Sequence, residues 1–302
     1  MISRSNGTIT LPDIRAWFED WEKIVHRIPP FLRRGWVKQV IGLVIESQGP
    51  IVSIGDSCLV QSHRNGLIPA EVVGFKEGRV LLMPIGGMEG IGQGCEVIAT
   101  GEPLSIPVGW GLVGRVVDGL GCPIDDKGPL SSVSYRPLIT SAPHPLKRRP
   151  IRQPLTTGVR AIDGLLTCGK GQRLGIFSGS GIGKSVLLGM IARYTSADIN
   201  VIALIGERGR EVGEFVNQIL GKEGLSRSVV VAVTSDQPAL MRIKGGLTAT
   251  TIAEFFRDQG KDVMLMMDSI TRLAMAHREI GLAVGEPPTS RGYTPSLFAF
   301  LP

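Results

Sequence analysis

The chain has 302 residues, 43% hydrophobic and 20% charged, and its 40 glycines follow no three-residue period. A disordered polymer and a collagen-like fibre are therefore excluded, and the length suits about two domains. Thirty-three Lys and Arg against 27 Asp and Glu leave a net charge of +6, which names no nucleic-acid or membrane partner unless it is clustered. No apolar run approaches the roughly 18 residues of a spanning helix. Residues 1–10 are polar and lack the apolar core of a secretory signal, so a cytoplasmic protein is expected.

Residues 1–35 form the first segment. Within it Ile14, Trp17, Phe18, Trp21, Ile24 and Val25 recur at helical spacing after Pro12 and Asp13, which predicts an amphipathic helix over 13–25 ending before Pro29 and Pro30. Docking onto the chain's own next domain and self-association or membrane-surface contact both fit such a helix.

From 36 to 100 the texture changes to short β-branched runs broken by Gly, Pro, Asn and Ser. Strands are predicted at 37–45, 51–54, 57–61, 70–75, 79–84 and 96–100, and a small closed β-barrel satisfies them. It holds no cluster of catalytic residue types, so scaffolding or assembly is its expected role.

Residues 101–154 read as a Gly- and Pro-rich linker and entry to the next domain. Lys147, Arg148, Arg149 and Arg152 lie close together there, but without aromatics for base stacking they read as a solvated loop and not a nucleic-acid site. From 155 to 302 apolar runs at 173–177, 201–205, 229–234 and 263–268 alternate with helical segments at 184–194, 209–220 and 247–259. This is the spacing of a parallel α/β sheet buried on both faces. Cys58, Cys95, Cys122 and Cys168 are scattered and read as small reduced hydrophobes, with no metal cluster expected.

The sharpest chemical signal is Ser178-Gly179-Ser180-Gly181-Ile182-Gly183-Lys184-Ser185, between the predicted strand 173–177 and a helix beginning near Val186. Glycines at this junction let backbone N–H groups converge on phosphates, and the helix N-terminus favours negative charge. Residues Gly179 through Val186 are the candidate nucleotide contacts, with Lys184 reaching the β- and γ-phosphates of ATP and the Ser185 hydroxyl on Mg²⁺. Ser178 stands where the generic pattern has its first glycine. Asp268 ends the apolar run 263–268, at the strand edge where open α/β sheets bind ligands, and is the second candidate for Mg²⁺. Glu207, directly after the run 201–205, is the candidate base for the attacking water. Arg208 and Arg272 are candidates for positive charge around the γ-phosphate, while Glu211, four residues after Glu207, is placed to pair with Arg208 or Arg210.

These residues resemble the catalytic type of the hexameric RecA-like ATPases that includes the rotary ATP synthases. More closely, the motifs at 157–163, 169–173, 206–212 and 287–293 resemble the type III secretion ATPases of injectisomes and flagellar export, over roughly 36–302. The resemblance implies an N-terminal barrel joining subunits into a homo-hexamer, a RecA-like nucleotide domain, and hydrolysis coupled to chaperone release, substrate unfolding and export. It also implies stalk, stator and sorting-platform partners and a peripheral position at the cytoplasmic face of the inner membrane. By residue, it carries phosphate binding to Gly179 through Ser185, water activation to Glu207, phosphate contact to Arg208 and magnesium coordination to Asp268. Overall texture leans towards the injectisome branch, although the flagellar branch shares every motif quoted.

Members of that family continue into the rest of the nucleotide domain and a C-terminal helical domain, which supply an arginine finger for the neighbouring subunit and an aromatic contact for the adenine. A chain ending at Pro302 is therefore expected to bind nucleotide, hydrolyse it slowly and assemble poorly. Two other readings share parts of the pattern. An RNA-translocating hexameric ATPase of the transcription-termination type also places a barrel before a RecA domain, but between 36 and 100 the only aromatics are Trp36 and Phe75. A non-catalytic nucleotide-holding ring subunit would have no need of Glu207.

Overall fold

The computed structural model describes residues 31–301 other than 141, 149 and 180. The helix expected over 13–25, Ser180, Arg149 and Pro302 lie outside the described residues. Six antiparallel strands close into a barrel in the order β1-β2-β5-β4-β3-β6. They are β1 (Arg34–Ile41), β2 (Val44–Gln48), β3 (Asp56–Ser62), β4 (Gly66–Lys76), β5 (Arg79–Pro84) and β6 (Glu96–Pro103). Inward positions alternate along the strands, so that Val37, Ile45, Val60, Val72, Leu82 and Val97 fill the interior. Bulges between Val37 and Gln39, Asp56 and Cys58, and Val72 and Gly74 supply the bending that closure demands.

Two expected barrel strands differ from the structure. The run 37–45 is a hairpin, because Gly42 adopts a φ of 56° in a two-residue turn that pairs Ile41 with Val44; one glycine suffices to reverse a stretch that otherwise reads as a single strand. Residues 51–54 form no strand. There the Asp56 carboxylate accepts the Ser53 N–H at 2.7 Å and the Gly55 N–H donates to the Val72 carbonyl at 2.8 Å, a local turn that leaves Ile51 and Ile54 exposed.

β7 (Ser105–Val108) and β9 (Ser134–Pro137) form a separate antiparallel pair, as do β10 (Pro154–Leu155) and β11 (Cys168–Gly169). The nucleotide-domain sheet has four parallel strands in the order β14-β12-β13-β8, namely β14 (Val263–Asp268), β12 (Ile199–Glu207), β13 (Ser228–Thr234) and β8 (Val116–Val117). β12 is buried at every position before Glu207, as expected of a strand covered on both faces.

The expected strand at 173–177 is not part of this sheet. The stretch is exposed, with Phe177 96% accessible, and the fourth strand is instead β8. The physical reason lies in composition: Gly175 interrupts the run, Ile176 is its only β-branched residue, and Gly171, Gly179, Gly181 and Gly183 flank it. Glycine raises the entropic cost of holding an extended strand and packs nothing against its neighbours.

The helices are α1 (Arg160–Leu165), α2 (Lys184–Tyr194), α3 (Gly209–Glu214), α4 (Gly221–Ser226), α5 (Ala239–Asp258), α6 (Ile270–Ala283) and α7 (Pro295–Phe300), with a π-helical turn, Phe215–Leu220, joining α3 to α4. α5 starts eight residues before the expected 247. Its Gly245 and Gly246 are packing contacts and not turn residues: a Cβ on Gly245 would stand 2.5 Å from Val233 Cγ2. Barrel residues Val44, Leu81, Met83 and Ile85 share one apolar core with Ile205, Leu240, Ile243 and Phe256 of the nucleotide domain. No helix among the described residues is long and apolar enough to cross a membrane.

Candidate nucleotide site

The glycine-rich loop delivers the chain into α2 through Gly181 and Gly183, whose φ values of 79° and 91° lie in the left-handed region. Gly183 is the N-cap of α2, with no side chain capping the helix and no acidic residue in its first turn. The first-turn amides thus keep their donor capacity and the helix dipole is unopposed, an arrangement that accepts an anion. Gly179 and Ile182 are exposed and Val186 is half exposed on the first turn. Behind them Leu188, Ile191 and Ala192 anchor α2 on the sheet through Ile202, Leu204 and Met266.

Asp268 ends β14 at the same edge and is only 3% exposed. Its Oδ1 lies 2.6 Å from Lys184 Nζ, and its Oδ2 accepts from the Ser185 hydroxyl at 3.5 Å. Oδ1 is buried without a hydrogen-bond partner of its own, so the lysine ammonium alone offsets its charge there. This donor set suits magnesium: one carboxylate and one hydroxyl, both hard oxygens, on an edge open to phosphate and water. Among the described residues no cluster of three His, Cys, Asp or Glu offers a cage for another metal.

Glu207 is the last residue of β12, one strand over from Asp268. Arg272, in the first turn of α6, places Nη2 3.2 Å from Glu207 Oε2 while its Nη1 donates to the Gly206 carbonyl. Ser269 caps that helix by accepting the Arg272 N–H at 3.3 Å. Burial pushes the Glu207 carboxyl up to about 7, a hydrogen bond with Glu211 adds to the rise, and the Arg272 charge pulls against it. Glu211 moves the opposite way, held low first by that same hydrogen bond with Glu207. A carboxyl poised near neutrality beside an anion-binding loop is competent to exchange a proton with a reacting water.

Lys184, Ser185, Asp268, Glu207 and Arg272 therefore converge on one edge of the sheet. Arg208 does not join them: its side chain is 77% exposed and its Nη1 lies 3.5 Å from Glu211 Oε1, the local pairing expected of i,i+3 neighbours on a helix. Two features of the site are not evident from sequence, the partnership of Glu207 with Glu211 and the role of Ser269 as a cap. The four-residue spacing that follows Glu207 was the available signal for the first, and a Ser directly before a helical run for the second.

Asp163 organises the turn ahead of α1 by accepting from Thr157 N and Oγ1, at 2.8 and 2.7 Å, and from Gly158 N at 2.9 Å. Gln172 Oε1 accepts the Gly169 N–H at 2.8 Å, and Thr289 N donates to the Tyr293 carbonyl at 2.7 Å. These motif residues build turns.

A phosphate loop opening a helix, beside parallel strands that end in carboxylates, defines a RecA-like nucleotide-binding domain, here preceded by a β-barrel. The chain belongs to the ATP synthase alpha/beta family: the model of that family's nucleotide-binding domain matches residues 158–302 and the model of its beta-barrel domain matches residues 37–101. It is 60% identical to the flagellum-specific ATP synthase of Bacillus subtilis (strain 168) over 276 residues, covering 90% of this chain and 63% of that protein. It is 52% identical to the type 3 secretion system ATPase of Xanthomonas euvesicatoria, covering 89% of this chain and 61% of that one. The assembled ATPase EscN in complex with its central stalk EscO, from the enteropathogenic E. coli type III secretion system, superposes with a TM-score of 0.81 at 48% identity, over 89% of this chain and 65% of that one. The chain thus spans about three fifths of the length of the curated relatives it matches.

Proposed function

We propose that this chain is the catalytic part of an ATP hydrolase serving type III protein export, in which a ring of subunits couples Mg-ATP hydrolysis to chaperone release, substrate unfolding and secretion. The observation that carries the reading is the convergence of Lys184, Ser185, Asp268 and Glu207 at one sheet edge behind an uncapped helix. In this reading the Gly179–Val186 backbone and Lys184 hold the phosphates, and Lys184 exchanges its contact with Asp268 for the terminal phosphates. Ser185 and Asp268 hold Mg²⁺, which when bound neutralises charge developing on the phosphate oxygens. Glu207 takes a proton from water as the water oxygen bonds to the γ-phosphorus. The bond from that phosphorus to the β–γ bridging oxygen breaks, releasing ADP and phosphate. Arg272 adds positive charge at that position, whereas the phosphate contact that the family resemblance carries to Arg208 is not part of this reading, because that side chain is exposed beside Glu211.

The relatives support the assembly part of this reading. EscN is described as assembled and in complex with a central stalk, so a homo-hexamer with a stalk partner is proposed here too. Chaperones, export substrates, stator, sorting platform and a peripheral place at the cytoplasmic face of the inner membrane complete the proposal. The more identical of the two curated relatives is flagellar, which runs against the injectisome lean of the sequence texture. Neither relative supports an RNA-translocating role.

The test is ATPase activity against protein concentration in the full-length protein, with and without Lys184→Ala. Cooperative, Lys184-dependent turnover supports the reading; turnover that is indifferent to Lys184 overturns it.

A further inference from the structure

The Arg272 guanidinium is already engaged twice, by the Glu207 carboxylate at 3.2 Å and by the Gly206 carbonyl. Gly206 makes this position available: at a φ of 71° a Cβ there would stand 3.0 Å from Arg272 Cδ and 3.1 Å from its Cβ. The arginine thereby lies across the end of β12. Its side chain remains 38% exposed while that of Glu207 is 15% exposed, so the cation is the more accessible partner of the pair. A planar guanidinium binds carboxylate and phosphate oxygens through the same paired N–H groups.

We propose that Arg272 is a shared cation for which Glu207 and the terminal phosphate of a nucleoside triphosphate are rival acceptors, so that phosphate binding releases the Glu207 carboxylate for water. The inference rests on the phosphate-site reading above and adds to it a regulation of the same site. Phosphate arrival and base release become one event. A diphosphate, lacking the terminal group, leaves the Arg272–Glu207 pair in place.

Competition of this kind is reciprocal, because whatever holds Arg272 lowers the fraction competent for phosphate. At a pH high enough to ionise Glu207 fully, a carboxylate that holds the guanidinium roughly nine-tenths of the time would, once its charge is removed, leave triphosphate binding about tenfold tighter. The experiment measures, by titration calorimetry on the full chain with magnesium present, the affinities for ADP and for a non-hydrolysable ATP analogue. Glu207→Gln, isosteric and neutral, should bind the analogue about tenfold tighter with ADP affinity unchanged. In Glu207→Gln/Arg272→Gln the gain should vanish. An unchanged analogue affinity, an equal gain for ADP, or a gain that survives loss of Arg272 each overturns the proposal. Lys184→Ala separates this from failure of the site itself, since undiminished binding of both nucleotides in that variant removes the underlying reading, whereas a failed competition with intact Lys184 dependence removes only the sharing of Arg272. Circular dichroism on each variant confirms that it is folded before its affinities are compared.

Discussion

The ammonium of Lys184, the first residue of α2, lies 2.6 Å from Oδ1 of Asp268, the last residue of β14. A buried carboxylate paired in this way is compensated by one cation, and a divalent metal competes for the same oxygen. Asp268→Asn should therefore remove most of the magnesium dependence of nucleotide binding. The ratio of ATP affinity with Mg²⁺ to that with chelator is expected to fall by at least about tenfold, in line with one lost charged ligand. Calorimetry with and without chelator checks it, and a ratio unchanged in the variant would place the metal elsewhere.

The acid side of the activity profile follows from Glu207. With its carboxyl pushed up to about 7, the basic form becomes the major one only above that pH, so kcat/KM, which reports the nucleotide-free protein, should rise through an apparent pKa near 7. The same shift has a stability consequence of opposite sense. The folded chain holds this proton more tightly than the unfolded one, so the favourable contribution is complete below the ordinary carboxylate range and is lost as pH rises towards about 7. Glu207→Gln abolishes that slope. Denaturant titrations from acid to neutral pH should show the variant gaining on the parent chain as pH rises, and parallel curves would contradict the buried, raised carboxyl.

Arg115 and Asp125 anchor the segment that delivers β8. Arg115 Nε and Nη2 each donate to a carboxylate oxygen at 2.8 Å, and the Val116 N–H adds a third bond at 3.0 Å. The Arg115 hydrogen bonds, joined by those of the Val116 and Lys127 amides, hold the Asp125 carboxyl well below its usual range against the effect of burial. Because the folded value is depressed, the contribution is present above the ordinary carboxylate range and lost as pH falls through it. Asp125→Ala leaves a buried guanidinium unpaired and should cost about 3–5 kcal/mol, read from urea unfolding at neutral pH, with the deficit shrinking in acid.

Lys244 of α5 is 2% exposed and pairs with Glu71 of β4, a charged contact across the apolar boundary between barrel and nucleotide domain. Removing one partner strands the other. Lys244→Met alone should destabilise the chain by about 3 kcal/mol or more, and Lys244→Met/Glu71→Leu should recover much of the loss. A double-mutant cycle by chemical denaturation with no coupling would show that the two charges do not interact.

The barrel was legible because its strands carry strong alternation, and the phosphate loop because three glycines and Lys184-Ser185 have few other uses. What the sequence hid depended on contacts between distant segments. β8 is only Val116 and Val117, too short to show a period, and its place in the sheet comes from pairing with Val230 and Val231. The helix expected from 247 begins at Ala239, and Gly245 within it packs closely against Val233. Glu207 and Arg272 were each named as candidates, but their mutual contact follows from the parallel pairing of β12 with β14 and the α6 turn after it, which no local spacing encodes. Arg208 shows the converse: adjacent to Glu207 in sequence, it pairs outward with Glu211.

If this edge holds the phosphates of Mg-ATP through Lys184, removing that ammonium must weaken nucleotide binding. The most direct measurement is the calorimetric affinity for Mg-ATP of the parent chain and of Lys184→Ala. A charged contact to the terminal phosphates is worth about 1.5–3 kcal/mol, so the variant should bind roughly ten- to a hundredfold more weakly. Equal affinity in the two proteins would contradict the claim.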